Sequence, residues 1–186
     1  MSIATWLAWL GDTPWSVALH QSHYVWPFAE SLHVLTLALF AGTAAVLDLR
    51  LLGLALPRVP VTALTARLLP WTRFGFAIMV ATGVLLFYAT PLVYYHDLFF
   101  RVKMLLVAIA GINVFVFHAR THRNALHWAH ELRVPRGARI AAAVSLVAWA
   151  GVIVSGRLIA YDWFACDKQP LPALASWAEG CPVATR

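Results

Sequence analysis

Glu30, His33 and Asp48 lie in one apolar stretch of the chain, Lys103 and Asn113 in another, and Arg157 near the end of a third. Ionisable groups in such surroundings are costly to bury, so each asks for a partner or a task. His33, one helical turn from the Glu30 carboxylate, has the chemistry of a haem or metal ligand whose second ring nitrogen an acid orients. His96 offers a second imidazole, and Arg101, Lys103 and Arg157 offer cations for haem propionates. The same residues allow a metal site of His33, His96 and Glu30, since imidazole suits copper. The plainer alternative is an ion pair from Glu30 to Lys103 or Arg157, with His33 bonded to Glu30 or to a carbonyl.

Membrane-spanning helices are the elements able to position these groups. Of 186 residues, 61% are hydrophobic and 12% charged, too few polar side chains to cover a water-soluble domain. Roughly 20 apolar residues make one crossing, because every backbone polar group must be bonded within the segment. Four segments qualify, at about 29–47, 74–94, 98–117 and 140–159, with Pro91 expected to kink the second near its end. Trp6, Trp9 and Trp15 suit a segment over residues 1–28 that lies in the membrane interface, and Asp12, Thr13 and Pro14 read as the start of a second short helix there. The expected fold is an all-α integral membrane four-helix bundle with an N-terminal interfacial amphipathic segment, as one transmembrane domain over 1–186. No removable secretory signal is expected.

Arg50, Arg58, Arg67 and Arg73 lie between the first two spans, and Arg120, Arg123, Arg133, Arg136 and Arg139 between the last two. That bias puts both connections in the cytoplasm of a bacterial inner membrane and both termini in the periplasm. An oxidising periplasm agrees with the cysteines, Cys166 and Cys181, which sit together in the tail at 162–186 and are expected to pair. The net charge of +6 is accounted for by these connections, so no nucleic-acid partner is expected. Phosphate loops, nucleophile elbows and zinc-protease helices are absent from the sequence, which speaks against soluble-type hydrolysis.

Helical spacing relates Glu30, His33, Leu37, Ala44 and Asp48, a stripe expected to face the bundle interior. At its outer end the topology gathers Tyr94, Tyr95, His96, Asp97, Lys103, Arg157 and Tyr161 into one polar cluster. At its inner end it gathers Arg50, His118 and Arg139, with Asn113 further inside. His33 and His118 are about one leaflet apart, too far to grip one haem, so His118 would belong to a separate inner site. His122, His127, His130 and Trp128 read as headgroup contacts. Ala41-Gly42 and Ala110-Gly111 are small-residue faces suited to close helix contact.

Glu30-Ser-Leu-His33, Asp48-Leu-Arg50, Leu69-Pro70-Trp71, Phe100-Arg-Val-Lys103, Asn113 with His118, and Gly156-Arg157 ending in Ala160-Tyr161 together resemble a family of bacterial inner-membrane proteins of unknown function. The resemblance covers about residues 28–161. More distantly, the chain is similar to CopD-type copper-resistance membrane proteins and to small b-type cytochromes. The nearer resemblance implies a four-helix fold and directs attention to Glu30, His33, Asp48, Lys103, Asn113, His118 and Arg157. An ordinary di-haem bundle carries paired histidines on two helices, whereas here the first span has His33 alone and the fourth has none.

Three functions follow, in order. The first is a b-type cytochrome-like electron-transfer subunit with haem b near the periplasmic face, held by His33 and His96 and serving membrane or periplasmic redox subunits. The second is a copper- or other metal-handling protein, against which the three methionines argue for any copper(I) relay. The third is a non-catalytic accessory subunit. All three place the chain in the lipid bilayer, and a homo-oligomer is compatible with each.

Overall fold

The computed structural model describes residues 2–121 and 134–161 together with Ser176 and Cys181, the side chains of residues 120 and 121 excepted. Short helices α1 (Ile3–Gly11) and α2 (Pro14–His20) precede α3 (Val25–Leu52) and α4 (Val61–Ala89). A one-and-a-half-turn helix, α5 (Pro91–His96), leads into α6 (Leu98–Thr121), and α7 (Arg136–Ile159) follows. The helices α3, α4, α6 and α7 are each long and apolar enough to cross a membrane. At 1.5 Å per residue the 28 residues of α3 run about 42 Å, beyond the roughly 30 Å of hydrocarbon, so its ends reach the headgroups. The end of the bundle that carries α1 and α2 is called the terminal side below, and the opposite end the loop side.

Three boundaries differ from expectation, each for a local reason. Helix α3 runs on to Leu52 and stops where Gly53 turns left-handed at φ 80°, letting the Gly53 and Leu54 amides close onto the Arg50 and Leu49 carbonyls. Helix α4 starts at Val61, so Arg67 and Arg73 stand on a helix and not in a loop. Pro70 is held inside it, at the cost of one hydrogen bond to the carbonyl four residues back. Pro91 does not kink α4. The backbone breaks at Thr90 (φ −142°, ψ 60°), and Pro91 opens α5, where its missing N–H costs nothing.

That break leaves carbonyls at the end of α4 in need of donors. Ser16 on α2 supplies one: its fully buried hydroxyl lies 3.0 Å from both the Tyr88 and the Ala89 carbonyl. Thr13 adds a 2.7 Å bond to the Tyr88 hydroxyl. These bonds and the packing of α1 on α5 clamp the N-terminal pair to the bundle. The indoles of Trp6, Trp9 and Trp15 remain exposed, as headgroup-level tryptophans are. At the other end of α5 the Asp97 carboxylate caps α6, accepting from the Phe100 amide at 2.6 Å.

Helix α3 packs on α4 and on α7, and α7 packs on α6. Chain neighbours run antiparallel. The core is a band of Phe40, Ala41, Met79, Ala110, Ala148, Trp149 and Val152, with Phe40 set edge-on to Trp149 at 4.6 Å. A Cβ on Gly75 would stand 3.1 Å from the Phe40 amide nitrogen and 3.2 Å from the Thr36 carbonyl oxygen, so α3 and α4 touch backbone to backbone there. The Thr72 hydroxyl donates to that of Thr43 at 2.9 Å, one turn toward the loop side. The small-residue faces expected at Ala41-Gly42 and Ala110-Gly111 are half realised. Both alanines are buried, but Gly42 and Gly111 face open space, and the close approaches fall to Gly75 and Gly151.

Gly75→Leu therefore has no room, whereas Gly42→Leu does. The first is expected to lower the stability of the purified protein by about 1–3 kcal/mol and the second to leave it nearly unchanged, read by tryptophan fluorescence on heating in detergent.

Candidate functional site

Near the terminal side one residue from each long helix meets in a single layer: His33 of α3, Gly83 of α4, Lys103 of α6 and Gly156 of α7. The His33 Nδ1 is 3.0 Å from the Met79 carbonyl oxygen and 3.1 Å from the Thr82 hydroxyl. A carbonyl only accepts, so Nδ1 carries the proton, and Nε2 is left with its lone pair. Thr82 is itself held by a 2.8 Å bond to the Ile78 carbonyl. A Cβ on Gly83 would lie 3.1 Å from the His33 Cε1, so the ring rests directly against the backbone of α4. Across the layer, Lys103 passes Gly156, with Nζ 3.7 Å from where a Cβ would be. Its ammonium is within electrostatic range of the His33 ring. Two glycines on two helices thus make room for two long polar side chains on the other two.

The rest of the expected outer cluster is spread over separate contacts. Glu30 is exposed at the end of the bundle, so the polar stripe on α3 faces inward only from His33 onward. Its charge is felt by Tyr94, whose phenol is pushed up by burial first and then by Glu30, against a hydrogen bond from Thr90. Tyr94 closes an aromatic group with Phe87 and Phe100, at centroid distances of 5.2 to 6.4 Å. Arg101 Nε donates to the Tyr95 carbonyl at 2.9 Å, and its guanidinium lies 5.4 Å from that ring. Arg157 is exposed and reaches Tyr161, Nη2 to the hydroxyl at 3.2 Å.

His96 is half-buried on α5, its ring 5.3 Å from that of Tyr95, on the segment that the Thr90 break lays against α1. Among the described residues no three His, Cys, Asp or Glu side chains come together as a group able to hold a metal ion, so Glu30, His33 and His96 do not form one.

The inner cluster is likewise divided. Arg50 is 3% exposed and donates from Nε to the Val59 carbonyl at 2.6 Å, fastening the α3–α4 connection. His118 and Arg139 are exposed. His118 stands fifteen residues along α6 from Lys103, about 22 Å, which keeps it out of the His33 layer. Asp48 and Ser145 line one cleft, and Asn113 donates to the Ala141 carbonyl at 2.9 Å. His122, His127, His130 and Trp128 lie outside the described residues, as does most of the tail at 162–186. Cys181 is disulfide-bonded, and Cys166, also outside the described residues, is the chain's other cysteine.

Thr82, Gly83, Gly156 and the Met79 carbonyl were not among the residues singled out for chemistry. No signal in one sequence separates these glycines and this threonine from the many that merely line apolar helices.

No curated protein and no solved structure matches the chain. The distant likeness to CopD-type proteins and cytochromes is therefore not shown by these comparisons. A family described as of unknown function, DUF6644, matches residues 7–162, a range that takes in α1 and α2 as well as the four long helices. With most of its length matched in this way, the chain belongs to that family of unknown function.

Proposed function

We propose that this protein is a b-type cytochrome-like electron-transfer subunit that takes haem b at the His33 layer. One observation carries the reading: the Nδ1–H of His33 is committed to the Met79 carbonyl, which leaves Nε2 free as a donor. Ligating histidines are characteristically held in this way, by a carbonyl on the second ring nitrogen. The surrounding residues suit the group. Lys103 supplies a cation for a propionate within the same layer, and Gly83 and Gly156 make the room in which the imidazole and the Lys103 chain lie. Haem bound at such a site supplies one-electron chemistry, tuned by the axial ligand and by burial. The reading is of a single haem with His33 as its ligand. Copper handling finds less support, because an imidazole beside an ammonium is a poor donor set for an ion held by side chains alone.

We place the protein in a bacterial inner membrane with its loop side in the cytoplasm, since Arg50, Arg58, Arg67, Arg73, Arg136 and Arg139 belong to that end of the helices and their connection. A periplasmic tail is in keeping with the disulfide at Cys181. The partners of such a subunit would be other membrane or periplasmic redox proteins.

Two experiments test these readings. A reduced-minus-oxidised spectrum of the detergent-purified protein is expected to show a b-type α-band and Soret shift, lost in His33→Ala, diminished in Lys103→Met and kept in His118→Ala. A featureless spectrum from intact protein would sink the haem reading and leave an accessory role. Alkaline phosphatase fused after residue 186 is expected to be active, and the same reporter inserted within residues 122–133 inactive; the reverse pattern would invert the topology.

A further inference from the structure

On the loop side, a cleft of about 70 Å³ opens between α3, α6 and α7. Its polar lining is Asp48, Asn113 and Ser145, one residue from each helix, and Ala141 and Ala142 make the room. Asp48 is fifteen residues from His33 on the same helix, about 22 Å, and the Phe40–Trp149 contact lies between the two. The cleft is a separate site from the His33 layer.

Each polar group presents oxygen. The Asn113 amide nitrogen donates to the Ala141 carbonyl, and its Oδ1 is left as an acceptor. The Ser145 hydroxyl lies beside Asp48 in the lining with lone pairs to offer, and the Asp48 carboxylate is an acceptor only. Nearby cations are engaged elsewhere or lie outside. Arg50 turns to the Val59 carbonyl, and Arg139 and His118 are exposed. A carboxylate within a membrane helix asks for a positive charge, and here the described side chains bring a hydroxyl and an amide instead.

We propose that the Asp48–Asn113–Ser145 cleft binds a small monovalent cation such as Na⁺. Carboxylate, amide and hydroxyl oxygens are hard donors that select hard ions over copper or zinc. One formal negative charge is balanced by one positive charge, whereas divalent sites recruit more carboxylates. The volume admits about two water-sized particles, an ion with one water. The proposal stands apart from the haem reading and survives or fails without it.

The test uses the full chain in detergent at constant ionic strength, with choline chloride replaced stepwise by NaCl or KCl. The unfolding midpoint is expected to rise with Na⁺ concentration, as binding to the folded state requires. The rise is lost in Asp48→Asn and displaced to roughly tenfold higher Na⁺ in Ser145→Ala, which removes one oxygen and keeps the carboxylate. Excess ²³Na linewidth in the presence of protein gives a direct reading on the same samples, and Asn113→Ala serves beside Ser145→Ala if Asp48→Asn does not fold. Equal midpoints in the three salts with no excess linewidth would mean that the cleft holds water only, and would overturn the proposal. A Na⁺ response that persists in Asp48→Asn, or in both other variants unchanged, would overturn it as well.

Discussion

The backbone contact at Gly75 sets the register on which the rest of the bundle depends. Because α4 has no side chain there, it lies directly on Thr36 and Phe40 of α3. The two helices are antiparallel, so one turn from this contact toward the loop side Thr72 meets Thr43. One to two turns the other way, Met79, Thr82 and Gly83 arrive opposite His33. A slip of one residue would rotate α4 by about 100° and take the Met79 carbonyl and the Thr82 hydroxyl from the imidazole. The tautomer of His33, and with it the donor that Nε2 offers, is thus a consequence of a glycine two turns away.

Polar groups inside the bundle are tolerated because the helices are graded in side-chain size. Around His33 and Lys103 the facing positions are glycines, and around Asp48 and Asn113 they are Ala141, Ala142 and Ser145. Between these levels the interior is filled by Phe40, Met79, Trp149 and Val152. The result is two small polar levels separated by an apolar plug. The outward faces are apolar as well: Leu35, Phe115 and Val147 are about 70% exposed, in the manner of side chains solvated by lipid and not by water. Helix α2 completes the structure, its Ser16 hydroxyl serving carbonyls that the Thr90–Pro91 break leaves open.

Much of this was legible in the chain alone. Four long apolar runs announce four crossings, and Asp12-Thr13-Pro14 announces the second short helix, because helix length and capping depend on near neighbours. The start of α4 was not legible, since a proline with arginines on both sides reads as a loop, and only packing against α3 reveals that the helix absorbs it. Glu30 and Arg157 looked like partners for a buried cluster by depth, yet depth says nothing about direction around the helix at the end of a bundle. Both are exposed.

Composition and hydropathy alone therefore determined that this protein is a four-helix membrane protein, because the backbone in hydrocarbon has few ways to satisfy its hydrogen bonds. The tertiary structure decided which polar residues meet. His33 shares a layer with Lys103, each against a glycine of another helix, Asp48 shares a cleft with Ser145 and Asn113, and His96 stands on α5. Those pairings turn on the relative rotation and register of helices far apart in sequence, which are set by contacts of glycine and alanine whose importance no single residue type announces.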